Sequence, residues 1–71
     1  MKADEFGERL KEARNARFMS QLQLALAAKV TQGSLANWEL GRTYPTLDNF
    51  INLCNVLDMS PDDLLGYVPN Q

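Results

Sequence analysis

The segment SQLQLALAAKVTQGSLANWELG, Ser20 to Gly41, organises the residues on either side of it. Ser20 is an N-cap residue, because its hydroxyl can accept one of the orphan N–H groups of a first helical turn. Leu24, Ala25 and Ala28 fall at i, i+1 and i+4 and make one apolar stripe on a helix. The pattern breaks at Lys29–Val30, and Thr31 offers a second N-cap. Leu35 and Trp38 are three apart and share a face, which leaves Gln32, Gly33, Ala36 and Asn37 pointing elsewhere. Gly41 supplies a C-terminal stop. The segment reads as two short helices about a tight corner. It is a helix-turn-helix whose second member, Thr31–Leu40, is the element expected to enter DNA.

Outward from this segment the chain predicts three more helices. Helix 1 is expected over Asp4–Arg17, where Phe6, Leu10 and Ala13 recur at i, i+4 and i+7 among charged residues. Arg14 lies at the edge of that stripe, and periodicity alone favours a solvated charge. Helix 2 is expected over Gln21–Ala28 and helix 3 over Gln32–Leu40. A loop follows at Arg42–Thr46, with Pro45 biasing Tyr44 toward extended backbone. Helix 4 is expected from the N-cap Thr46 to Leu57, burying Leu47, Phe50, Ile51, Leu53, Cys54 and Leu57. Ser60-Pro61-Asp62-Asp63 combines an N-cap serine, an N1 proline and carboxylates at the positive end of a helix dipole. Helix 5 therefore starts there and stops at Leu65, before Gly66. The expectation is an all-α, five-helix domain over residues 1–66 with a short tail at 67–71. Its core list is Phe6, Leu10, Ala13, Leu24, Ala28, Leu35, Trp38, Phe50, Leu53, Leu57, Leu64 and Leu65, with Trp38 where helix 3 meets helices 4 and 5.

Composition narrows the function. The 71 residues make one small domain, which buries only about 60% of the surface its unfolded chain exposes. There is no histidine and one cysteine, Cys54, so neither a Cys/His metal set nor His-based catalysis is available. With no paired-carboxylate motif either, no enzyme, metal or cofactor is expected. The segment MKADEFGERLKEAR holds no apolar run of signal-peptide type, and no window of 18 apolar residues exists. A cytoplasmic setting without a membrane is the expectation. Net charge is −2, which weighs against DNA at first sight, since cations on phosphates supply non-specific affinity. The distribution differs: residues 13–46 carry Arg14, Arg17, Lys29 and Arg42 against Glu39 alone, while residues 47–71 carry only carboxylates. The basic segment is the one that holds the helix-turn-helix.

These pieces resemble, in order and spacing, the phage repressor and Cro type of helix-turn-helix regulators, with their lambda-repressor-like fold. The resemblance rests on FGERLKEAR, Ser20–Gln21 with Leu24–Ala25, VTQGSLANWE from Val30 to Glu39, Gly41, Pro45–Thr46–Leu47 and LDMSPDDLLG, and covers Phe6 to Gly66. It implies base reading by Gln32, Gly33, Ser34 and Asn37, where glutamine or asparagine can pair bidentately with adenine. It implies phosphate contacts from Gln21 at a helix N-terminus, and from Thr31, Lys29 and Arg42. It also revises Arg14, which matches an arginine paired with the glutamate that ends the recognition helix, here Glu39. Phe18, Lys29 and Asp58 stand where the family usually has glycine. If those positions keep a positive φ, each costs roughly 1 kcal/mol.

The function expected is sequence-specific binding of double-stranded DNA by a transcriptional repressor. Such readers bind pseudo-palindromes as homodimers, with half-sites one helical turn apart. Leu64, Tyr67 and Val68 are candidates for the dimer contact, Leu64 being equally a core residue. The alternative is a protein-interaction module, antitoxin-like or anti-repressor, on the same fold. The acidic balance and an apolar strip at Leu22 and Leu26 favour it.

Overall fold

Local chemistry at both ends of each helix accounts for the element order. In the computed structural model, which describes residues 1–69, five helices follow one another: α1 (Ala3–Ala16), α2 (Gln21–Ala28), α3 (Gln32–Glu39), α4 (Leu47–Leu57) and α5 (Pro61–Leu65). Positions 70 and 71 of the expected tail lie outside the described residues. Ser20, Thr31, Thr46 and Ser60 each cap a helix by accepting the backbone N–H three residues on. At Ser20 the cap is reciprocal. Gln23 N–H donates to the Ser20 hydroxyl at 3.0 Å, and Ser20 N–H donates to Gln23 Oε1 at 2.8 Å, which satisfies two orphan donors at once.

The helix ends share one closure. A residue in the left-handed region is followed by an N–H that reaches back five residues: Met19 to Arg14, Val30 to Ala25, Arg42 to Asn37, Met59 to Cys54 and Tyr67 to Asp62. Gly41 and Gly66 fill the left-handed position after α3 and α5, but Phe18, Lys29 and Asp58 fill it after α1, α2 and α4, with φ of 56°, 59° and 52°. The three corners thus keep the geometry that glycine favours without glycine. The residue after each, Met19, Val30 and Met59, packs against the core. Burying a side chain of that size stabilises by about 1.5–3 kcal/mol when complete, enough to offset a backbone cost near 1 kcal/mol.

Packing joins α1 to α3 and α5, α2 to α3 and α4, and α4 to α5. Leu10, Leu24, Leu35, Leu53, Leu57 and Leu64 are wholly buried at the centre. The Cα radius of gyration, 11.2 Å, matches the ~11 Å of a compact chain of this length. Gly7 sets the approach of α1 to α3, since a Cβ there would stand 2.5 Å from the Trp38 carbonyl oxygen.

Three expectations about packing change. Leu47 and Ile51 are exposed, at 76% and 43%. Ile51 falls one position off the stripe Phe50–Leu53–Cys54–Leu57, and Leu47, in the first turn, lines a shallow groove of about 160 Å³ with Phe6, Tyr44, Pro45, Phe50 and Leu65. Leu65 is itself half-buried, while Ala25 joins the core. Trp38 is buried, but α3 packs chiefly on α1 and α2 and not on α4 and α5. Burial pushes the Cys54 thiol up, which keeps it protonated and unreactive.

Candidate nucleic-acid interface

The outward side of α3 follows from its inward side. Leu35, Trp38 and Glu39 are buried, and at 100° per residue the opposite crest runs through Gly33, Ala36, Asn37 and Leu40. Gln32 and Gly33 are exposed, and Ser34 and Asn37 are half-buried. Thr31 caps the helix by accepting Ser34 N–H at 3.0 Å and donates its own hydroxyl to Ser34 Oγ at 2.8 Å. The Ser34 hydroxyl therefore lies at the start of the helix, held against Thr31.

Cationic side chains flank the face at its two ends. Lys29 is exposed at the corner that leads into α3, and Arg42 is exposed just beyond its C-terminus. Arg42 Nη1 leans on Asn37 Oδ1 at 3.4 Å, which links one phosphate-type candidate to one base-type candidate. Arg17 turns back onto its own helix, donating from Nη1 to the Ala13 carbonyl at 3.1 Å.

Beneath the face lies a buried ion pair. Arg14 donates from Nε to Glu39 Oε2 at 2.7 Å and from Nη2 to Oε1 at 2.9 Å, a bidentate fork, with the side chains 10% and 3% exposed. Its third arm, Nη1, donates to the Met19 carbonyl at 2.9 Å. The hydrogen bonds to Glu39 push the guanidinium further above its ordinary range, against the opposing pull of burial. Gln21, the first residue of α2, donates from Nε2 to Glu39 Oε1 at 3.1 Å. One carboxylate thus gathers α1, the corner after it, and the starting residue of α2 onto the last residue of α3. Both helices of the motif are held to α1 through Glu39.

Sequence reasoning missed Gly7, whose signal is a glycine beside Phe6 on the apolar edge of a helix. It also missed the amide of Asn52, which donates to the Ala28 carbonyl at 3.5 Å and ties α4 to the end of α2. Leu64 is wholly buried, so it is core and is withdrawn as a contact between copies. Tyr67 and Val68, 59% and 56% exposed, leave that role open to themselves.

The profile of the helix-turn-helix family matches residues 10–64. The chain belongs to that family. This helix-turn-helix domain is 37% identical over 60 residues to the SPbeta prophage-derived uncharacterized HTH-type transcriptional regulator YonR of Bacillus subtilis, covering 84% of the chain and 56% of the relative. It is 35% identical over 66 residues to the uncharacterized HTH-type transcriptional regulator YqaE of the same organism, covering 93% of the chain and 57% of the relative. The chain spans about half the length of these curated relatives. Among solved structures, it superposes on the restriction-modification controller protein C.AhdI of Aeromonas hydrophila with a TM-score of 0.84, at 32% identity, over 87% of this chain and 94% of that one. The lambda-repressor-like arrangement of five helices without strands is therefore that of known regulators, here over the described residues.

Proposed function

We propose that the chain is a sequence-specific double-stranded DNA-binding transcriptional regulator, a repressor that reads the major groove with α3. The observation that carries this is the outward face of α3 on a helix-turn-helix frame. That face is uncharged, sets the amides of Gln32 and Asn37 beside Gly33, Ala36 and the exposed Leu40, and lies opposite a buried one, with Lys29 and Arg42 at its ends. Gln32 and Asn37 have the amides that match adenine N6 and N7, and Gly33 and Ser34 stand between them. Gln21, Thr31, Lys29 and Arg42 are the phosphate-side residues, the first two at helix starts where backbone N–H groups favour anions. A homodimer joined through Tyr67 and Val68 would place two such helices on a pseudo-palindrome, half-sites one turn apart. A reader of this kind works in the cytoplasm and needs no cofactor.

The experiment is selection of duplexes from a random library, followed by affinity measurements on the selected operator and on random DNA. Gln32→Ala is expected to lose ~1–3 kcal/mol on the operator alone and to relax one base pair. Arg42→Ala is expected to weaken all duplexes alike and to lower the salt slope by about 1. Equal losses on operator and random DNA for Gln32→Ala would remove it from the base-reading set. A selected pool without paired half-sites would remove the dimer.

A further inference from the structure

Gly33 is the one glycine with no cause inside the described chain. A Cβ on Gly7 would collide with the Trp38 carbonyl, while Gly41 and Gly66 hold φ of 76° and 65°. Gly33 is the second residue of α3, does not have a positive φ, and is exposed. Apart from its two chain neighbours and the backbone of its own helix, no described atom lies within 4 Å of where its Cβ would stand. Alanine fits there and is the better helix former. The eight-residue α3 therefore carries a local weakness that its own packing does not require. The position is also specific: Gly33 stands opposite Leu35, which is 0% exposed, and so at the crest of the outward face.

We propose that Gly33 is glycine to clear space for thymine, its bare Cα seating the 5-methyl group of a thymine in the major groove. This rests on the DNA-reading role of α3 and adds a base class to it. At Gly33 itself the helix offers only Cα hydrogens and, one turn on, the Ala36 methyl, the crest's hydrogen-bonding side chain being Asn37. The apolar group on a major-groove base edge is the thymine methyl. The amides of Gln32 and Asn37 beside it suit adenine. No arginine or lysine, the side chains that read guanine bidentately, occurs in α3. A Cβ at position 33 would take the volume of the methyl it faces and hold the helix off the base edge.

The test uses the full chain and operator duplexes selected from a random library. Replacing each thymine in turn by deoxyuridine removes the 5-methyl group alone. At one position per half-site this is expected to weaken binding about three- to tenfold. Gly33→Ala is expected to raise Tm by about 4–8 °C and to weaken operator binding about tenfold. It should no longer distinguish thymine from uracil at that position. Operator binding by Gly33→Ala equal to the parent's overturns the proposal, as does a lowered Tm or the absence of any methyl-sensitive thymine. A parent chain that selects no duplex overturns the role of α3 and this proposal with it. If Gln32→Ala loses discrimination while Gly33→Ala does not, only the clearance at Gly33 falls.

Discussion

The Arg14–Glu39 pair offers the sharpest test of how the motif is held. Arg14→Met removes a fork at 2.7 and 2.9 Å and leaves the Glu39 carboxylate, 3% exposed, with only the Gln21 amide. An exposed pair would contribute about 0–1 kcal/mol. At this burial the relevant figure is ~3–5 kcal/mol, because the orphaned charge keeps its desolvation cost without its partner. Against ~4–10 kcal/mol for a chain of this size, that is a third of the reserve or more. Glu39→Leu is expected to cost as much, for it strands the guanidinium with the Met19 carbonyl alone.

The double variant Arg14→Met/Glu39→Leu decides the matter. If the pair's worth lies in mutual compensation, replacing both ends with apolar groups should cost far less than the sum, by ~2 kcal/mol at least. Urea unfolding followed by Trp38 fluorescence reads this directly, since Trp38 is the sole tryptophan and is 5% exposed. With a slope of about 1 kcal/mol per molar, each single variant should lower the midpoint by ~3 M or more. Single losses below ~1 kcal/mol, or a double loss equal to the sum within ~0.5 kcal/mol, would refute the assignment of the pair as the clamp.

Two further substitutions probe the frame. Phe18→Gly should stabilise the domain. Phe18 is 93% exposed at φ 56°, so glycine loses no packing and relieves ~1–2 kcal/mol of backbone cost, of which ~0.5–1 kcal/mol returns as unfolded-state entropy. A scanning calorimeter should record a Tm higher by about 2–8 °C, and a lower Tm would show that the ring is held. Trp38→Ala should cost ~3–5 kcal/mol and leave little cooperative structure. A cooperative transition within a few degrees of the parent would count against Trp38 as a core anchor.

Helix starts and stops were legible in the sequence because they are local. Ser20, Thr31, Thr46 and Ser60 act on an N–H three residues away, and bounds came within a residue. The width of a buried stripe was less legible. Leu47 and Ile51 satisfy helical periodicity, yet what covers a side chain depends on neighbours far along the chain. The Arg14–Glu39 contact spans 25 positions, and periodicity alone would have left Arg14 in water; family resemblance, not pattern, pointed to the pairing. Gly7 was illegible for the same reason, since its meaning lies in the Trp38 carbonyl on another helix. At the candidate site, the exposure of Gln32 and Gly33 follows from the spacing of Leu35 and Trp38. The bond from Gln21 to Glu39 does not.

The same contacts reset the electrostatics. The segment 13–46 holds four cations against one carboxylate, which suggests a basic face. Folding withdraws one of the four and turns another aside. Arg14 is neutralised by Glu39 inside the domain, and Arg17 is turned back onto the Ala13 carbonyl. Lys29 and Arg42 remain at the ends of α3, and Arg42 also reaches Asn37. On the proposed reading, these two cations would give a salt slope of only about −2 per chain, a weak hold on random sequence. In a chain of net charge −2, such a reader must draw discrimination from hydrogen bonds and fit at the crest of α3. There a bare backbone at Gly33 costs helix stability, and there the closeness of approach matters most.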